Sequence, residues 1–147
     1  MFKASDVYGM KEEDVDQVFL LSSRIGEVKT KREDVLACVE DENLSGYVLK
    51  DASLHGYVLV RLEGFEAEID QIAVSEEDEG KGVASFLLSA VLSLLKERGV
   101  QKVFLEVRED NARAISLYQR QGFNPYNVRK NYYGDKNAVL MSKELAL

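Results

Sequence analysis

The sequence predicts a single α+β domain spanning residues 1–147: a mixed, mostly antiparallel sheet of about seven strands with one parallel crossover, flanked by about four helices. Three observations predict it. Period-two and 3.6-period segments alternate along the chain. Two β-rich runs flank Asp51-Ala52-Ser53 as a hairpin. Near the middle, a strand leads into a helix and on to another strand, which is the form of a parallel crossover. A length of 147 residues suits one domain, which at this size buries roughly 70% of the surface its unfolded chain exposes.

In order, residues 2–7 read as a short strand and 12–22 as an amphipathic helix. Thr30-Lys31-Arg32-Glu33 has the form of a capping box and opens a second helix to about residue 40. Residues 44–50 and 54–62 form the hairpin, Glu63-Gly64 turns the chain, and a third strand covers 65–74. Ala84, Leu87, Leu88, Val91, Leu94 and Leu95 then recur at helical spacing, with Lys96, Arg98 and Gly99 as a stop. Residues 103–107 alternate as a strand. Asp110 or Asn111 caps a helix to Gln121 that Gly122 closes, and strands at about 123–131 and 137–143 flank Tyr133-Gly134-Asp135-Lys136.

Composition narrows the function classes. No apolar run approaches the roughly 18 residues of a membrane span, and the acidic start MFKASDVYGMKEEDVDQ does not read as a signal peptide, so a cytoplasmic protein is expected. One cysteine, Cys38, excludes an internal disulfide, and one histidine, His55, excludes a His-rich metal site. Cys38 reads as a small buried thiol on a helix and His55 as a strand-start residue; no metal is expected. Residues 1–80 carry 20 acids and 8 bases, residues 81–147 6 acids and 11 bases, so an anion is favoured by the later half. No dense basic stripe interleaved with aromatics points to nucleic acid.

The strand-to-helix joint reads Val74-Ser75-Glu76-Glu77-Asp78-Glu79-Gly80-Lys81-Gly82-Val83-Ala84. Glycines there permit a tight turn and leave backbone N–H groups uncovered. The first amides of a helix lack internal acceptors, so such a joint holds a phosphate or pyrophosphate; a plain turn is the other reading. Gly80-x-Gly82-x-x-Ser85 lacks the third glycine of a dinucleotide fold. Eighty residues precede it and a hairpin ends the chain, so that fold is rejected.

More specific is Leu105-Glu106-Val107-Arg108-Glu109-Asp110-Asn111-Ala112-Arg113-Ala114-Ile115-Ser116-Leu117-Tyr118, followed by Gly122-Phe123. Asn111, Ala114, Ile115 and Tyr118 share one helical face, spread over roughly 10 Å of rise. Glu106 is an acid inside an apolar strand, on the face opposite Leu105 and Val107.

A strand, Gly-x-Gly-x-Ala, a helix, and then LEVR-x-x-N-x-x-A-x-x-L-Y-x-x-x-G-F resembles the GNAT family of N-acetyltransferases, over about residues 72–141. Val128-Arg129-Lys130-Asn131-Tyr132-Tyr133 and Ala138-Val139-Leu140-Met141 resemble its RimI-type members, which acetylate the N-terminal alanine of a small-subunit ribosomal protein. The resemblance implies acetyl-CoA as cosubstrate and a protein N-terminus as acceptor partner. Ile72, Ala73 and Val74 would hold the acetyl and pantetheine part. Gly80, Lys81, Gly82, Val83, Ala84 and Ser85 would cradle the pyrophosphate, and Asn111 would touch the pantetheine arm. Glu106 corresponds to the general base and Tyr118 to the general acid; of Tyr132 and Tyr133 at least one is expected along the peptide groove, covering a hairpin end being the other reading. The residues taken alone also admit a core tyrosine at 118, a salt-bridged acid at 106 and a helix cap at 111.

The chain departs from the family pattern at three places. Glu79 stands where Arg or Gln is usual and Glu76 where Pro is usual, so the acids 76–79 should repel a pyrophosphate. Gly26-Glu27-Val28-Lys29-Thr30 replaces a usual Pro-Trp, in a protein without tryptophan. Lys136-Asn137-Ala138 stands where Glu-Asp-Ala is common. A GNAT acting on a small amine or amino acid, or an acyl-CoA-binding module without turnover, is the alternative; retention of Glu106 and Tyr118 argues against the second.

Overall fold

The computed structural model describes residues 1–24 and 30–145. Seven strands, β1 (Val7–Gly9), β2 (Leu44–Lys50), β3 (Leu54–Glu63), β4 (Glu66–Val74), β5 (Lys102–Arg108), β6 (Asn124–Tyr133) and β7 (Lys136–Glu144), form one sheet in the order β1-β2-β3-β4-β5-β7-β6. Among the described residues only β4 and β5 pair in parallel. The described α-helices are α1 (Val15–Ser22), α2 (Arg32–Glu40), α3 (Val83–Glu97) and α4 (Ala112–Arg120). The expected mixed sheet with one parallel crossover is the observed fold.

The sheet is covered on both faces. Leu49, Val58 and Val60 pack with Leu87, Leu88, Val91 and Leu95 of α3 on one side. Val48, Tyr57 and Leu59 pack with Val15, Val18 and Val35 of α1 and α2 on the other. That explains the repeated Gly-Tyr-Val-Leu at 46–49 and 56–59: strands buried on both faces read as continuous apolar runs. Gly56 has a separate reason. A Cβ there would lie 2.9 Å from the carbonyl oxygen of Ala73 and 3.0 Å from Leu87 and Val74, so only glycine lets β3, β4 and α3 approach this closely.

Three local expectations are corrected. Residues 2–7 are not one strand. A 3-10 turn, Ala4–Asp6, precedes β1, because the Asp6 carboxylate accepts the Lys3 N–H at 2.8 Å and favours a turn over extension. The first helix likewise begins as a 3-10 turn at Glu12–Asp14, where Asp14 accepts from the Lys11 N–H at 2.9 Å and from Lys50 Nζ at 2.6 Å. The second helix is capped one residue later than Thr30. The Lys31 N–H donates to Asp34 Oδ2 at 3.0 Å, and Thr30 Oγ1 accepts from Gln71 Nε2 at 2.7 Å. Residues 26–29, where the family's Pro-Trp would fall, lie outside the described residues.

Two features of β4 create the site. Its parallel pairing with β5 runs only from Glu66↔Lys102 to Ile69↔Leu105, after which the strands part. At the same level its register against β3 slips from Val60↔Ile69 to Leu59↔Gln71, leaving Asp70 as a bulge. A bulge bends and twists its strand, here in step with the parting of β4 from β5. The far half of β4, Gln71 to Val74, stays paired with β3 and leaves its other edge free of β5.

Candidate active site

The opening between β4 and β5 leads into a groove of about 590 Å³. Ile72, Ala73 and Val74 line one wall, Gly80, Gly82, Val83, Ala84 and Ser85 one end, and Asn111, Ala114 and Tyr118 the other wall. Nine of the ten residues expected to hold the cofactor therefore share one groove; exposed Lys81 is not part of the lining. Gly80 and Gly82 have φ of +74° and +77°, with open space around both. Backbone conformation, rather than crowding, demands glycine there. Gly82 is the N-cap of the fifteen-residue α3, and its carbonyl accepts the Phe86 N–H at 3.1 Å. The amides of Val83, Ala84 and Ser85 head the helix with no acceptor in the preceding turn, where the dipole favours an anion. The Ser85 hydroxyl is already engaged, accepting from Gln121 Nε2 at 2.8 Å and so tying α3 to the end of α4.

Asn111 caps α4: its Oδ1 accepts the Ala114 N–H at 3.1 Å. The cap uses Oδ1 and Asn111 also lines the groove, so the cap and a ligand contact are compatible.

The acids at 76–79 do not all line the groove. Glu76 and Glu77 line a separate cavity against α1 and the β2–β3 turn. Asp78 is buried and bonded to His55 and Ser75. Only Asp78 and Glu79 reach the groove, so the repulsion expected from four acids falls to these two. Arg113 and Arg120 of α4 line the same groove and were not singled out in the sequence. The basic excess of residues 81–147 was their only signal.

Beyond Ile72 the groove meets a small cavity of about 130 Å³, lined by Asp70, Gln71, Glu106, Asn111, Tyr118 and Tyr133 among others. Glu106 and Tyr118 thus face one space from opposite elements, β5 and α4. Alternation along β5 buries Val103, Leu105 and Val107 and turns Glu106 to the other face, as its spacing predicts. The Glu106 side chain is 20% exposed, and its Oε1 lies 3.1 Å from Arg129 Nη1 on β6. Tyr118 is buried edge-on to Phe123, with ring centroids 5.9 Å apart. Burial, with a smaller contribution from Tyr133, pushes its phenol up to about 12.

On the far side of that cavity opens a second groove of about 670 Å³, in which Glu106, Tyr132 and Tyr133 meet residues of α2, β3 and β4. Its charged lining is Asp34, Glu68, Asp70 and Glu106 against Arg61 and Arg129. Burial raises the Asp70 carboxyl, Arg61 opposing and Glu106 adding to the shift; burial and then Asp70 raise Glu68. Acids held above their ordinary range in this way are stabilised in ionised form by an arriving cation. The two tyrosine rings meet edge-on at 5.1 Å, and the Arg129 guanidinium lies 5.0 Å from the Tyr132 ring centre. Cys38 lines this groove as well; burial, followed by nearby Asp70 and Asp34, pushes its thiol up to about 11, so it is not a nucleophile near neutral pH. The bulge acid Asp70 was missed in the sequence because strand alternation hides a slipped register.

Among the described residues, no helix is long and apolar enough to cross a membrane. Residues 10–123 match the acetyltransferase (GNAT) family. The chain is 37% identical over 100 residues to the [ribosomal protein bS18]-alanine N-acetyltransferase of Haemophilus influenzae, covering 65% of this chain and 68% of that protein. The fold is similar to the crystal structure of the ribosomal-protein-S18-alanine N-acetyltransferase from Escherichia coli, with a TM-score of 0.88 and 24% identity over 96% of this chain and 94% of that one. It is also similar to Ard1 from Thermoplasma volcanium, at 0.83 and 28% over 96% and 97%. The parted strands, the glycine joint heading α3 and this sequence relationship agree: the chain belongs to the GNAT family of acetyltransferases.

Proposed function

We propose that this N-acetyltransferase transfers the acetyl group of acetyl-CoA to the N-terminal α-amine of a protein, of the ribosomal-protein alanine type, by direct attack of the amine on the thioester. The observation that carries the reading is the cavity shared by Glu106 and Tyr118, with a phosphate-type groove on one side and an acid-lined groove on the other. The relationship to the bS18-alanine enzymes supports the choice of acceptor.

Acetyl-CoA lies with its pyrophosphate on the amides of Gly82 to Ser85 and the guanidinium groups of Arg113 and Arg120 nearby, and with its pantetheine arm along Ile72 to Val74. The free edge of β4 supplies backbone groups to bind that arm and to stabilise the oxyanion. The acceptor enters along Tyr132 and Tyr133 as an ammonium drawn by Asp70 and Glu106. An α-amine has a pKa of about 8, so most of it is protonated at neutral pH and cannot attack. Glu106, directly or through a water, takes that proton. The nitrogen then forms its bond to the carbonyl carbon and the C–S bond breaks. Tyr118, fully protonated across the working range, donates to the departing sulfur; the nitrogen, cationic once its bond to carbon has formed, gives up a second proton that restores the phenol, and Glu106 releases the first to solvent.

Free-thiol release from acetyl-CoA tests this with three acceptors: a basic peptide beginning with alanine, its N-blocked lysine-containing twin, and a polyamine. Release with the first alone is expected. Release with the polyamine alone overturns the protein acceptor, and acetyl-CoA binding without release for any of them favours a binding module.

A further inference from the structure

His55, the second residue of β3 and the chain's one histidine, plays no part in the chemistry above, yet it is largely enclosed beside the phosphate joint. Its side chain is 13% exposed. Nδ1 lies 2.8 Å from Asp78 Oδ2, and Nε2 lies 2.8 Å from Asp51 Oδ1. An ionised carboxylate can only accept, so satisfying both contacts needs an N–H on both nitrogens. The geometry is that of the imidazolium; a neutral ring would aim a lone pair at one of the two carboxylates. The Phe2 ring packs at 4.6 Å and helps hold the imidazole in place.

The two acids belong to different parts of the molecule. Asp51 is in the β2–β3 turn. Asp78 ends the 3-10 turn Glu76–Asp78, directly before Glu79-Gly80-Lys81-Gly82, and lines the cofactor groove itself. Asp78 also accepts from the Ser75 hydroxyl, and the Ser75 N–H donates to the His55 carbonyl at 2.8 Å. The other charges facing this cluster are Glu77, whose carboxylate lies within 4.8 Å of the His55 and Asp78 donor atoms, and Lys81, which attracts Asp78. Burial alone would push the imidazole down, but its bonds to Asp78 and Asp51 outweigh that and hold it above its ordinary value.

We propose that His55 is a positioning residue for acetyl-CoA: as an imidazolium it ties Asp78, and with it the glycine joint, to the sheet, and it cancels a carboxylate charge facing the pyrophosphate. Cofactor binding is then strongest with His55 protonated. When the ring loses its proton, one tie is lost and Asp78 faces the anion with only Lys81 and the Ser75 hydroxyl to offset its charge. The inference rests on the groove holding acetyl-CoA.

Linkage makes the test reciprocal: whatever factor His55 protonation adds to acetyl-CoA affinity, acetyl-CoA adds to the proton affinity of His55. A typical coupling is about fivefold or more, which moves the titration up by about 0.7 pH unit. With one histidine, the tag-free chain gives a single imidazole resonance to follow by NMR, with and without saturating acetyl-CoA. Calorimetric binding of acetyl-CoA from pH 6 to 9 is measured in parallel on the wild type and His55→Asn. Ionisation of the cofactor's phosphates affects both proteins alike and cancels in the comparison. The expected result is an upward shift of the His55 titration on binding, with wild-type affinity falling about fivefold more than that of the variant. An unmoved titration, or parallel pH profiles, overturns the inference; the wild-type titration decides it even where the variant does not fold. Absence of acetyl-CoA binding at every pH would instead overturn the cofactor groove, and this inference with it.

Discussion

Glu106→Gln removes the proposed base while keeping the shape of the side chain. General base catalysis is worth about 10²- to 10⁴-fold, or about 2.7 to 5.5 kcal/mol at 1.36 kcal/mol per tenfold. The structure sets a low cost in stability. The Arg129 partner is 51% exposed, and an exposed ion pair contributes about 0–1 kcal/mol, so the melting temperature should fall by no more than about 4 °C. Activity loss therefore cannot be blamed on unfolding. The variant has to wait for amine that is already neutral, about a tenth of it at pH 7 and about nine tenths at pH 9 for a pKa near 8. Its rate should climb roughly tenfold over that range, more steeply than that of the wild type. Initial rates of thiol release at saturating acetyl-CoA give both quantities, and the Cys38 thiol, held up to about 11, adds little to a thiol reagent's signal. A loss below tenfold at pH 7, or a pH profile parallel to the wild type's, would refute Glu106 as the base.

Tyr118→Phe should lower kcat with little change in the acetyl-CoA KM. Because its phenol is pushed up to about 12, the wild type should show no basic limb from this residue below pH 10; a limb that vanishes in the variant would contradict that. Glu79→Gln or Glu79→Arg should tighten acetyl-CoA binding several-fold in calorimetry at low salt, with the gain shrinking as salt rises. Unchanged affinity would mean that the Glu79 carboxylate points away from the phosphates. Gly56→Ala should raise the acetyl-CoA KM more than it lowers kcat, since the added Cβ pushes on the Ala73 carbonyl of the strand that lines the groove. Stability should also depend on pH at both ends. His55 is raised in the fold, so its contribution is complete below about pH 6.5 and is lost as pH climbs through its folded value. Asp51 and Asp78 are lowered, so theirs is present above about pH 4 and lost on acidification through their folded values. Thermal unfolding from pH 3 to 9 should show both losses, and His55→Asn should remove the alkaline one.

What was legible in the sequence is local in origin. The 3.6-residue apolar spacing of α3, the alternation that turns Glu106 away from its neighbours, the glycines at 80 and 82 and the Asn111 cap all act within a few residues, so pattern alone locates them. The set of residues expected around the cofactor came through the family resemblance, and nine of its ten members line one groove. The two tyrosines at 132 and 133 came instead through a resemblance, and their meeting with Glu106 is a matter of strand order: β7 inserts between β5 and β6.

Other features depend on pairs distant in sequence. The capping box expected from Thr30 gives way because Gln71, 41 residues away, donates to the threonine hydroxyl, and Lys31 becomes the N-cap with its N–H bonded to Asp34. The acids 76–79 looked like one repulsive cluster until the His55 contact drew Asp78 inward and Glu76 and Glu77 turned to another cavity. The sequence by itself determined the order of elements, the glycine joint before α3 and the motif that carries Glu106, Asn111 and Tyr118, because each is written in short-range spacing. Only the tertiary structure decided that β4 parts from β5 at the level of a bulge at Asp70, that Glu106 lines a groove rich in acids, and that one histidine ties two carboxylates together. Strand register and charge pairing are set by contacts across the sheet, which spacing along the chain does not record.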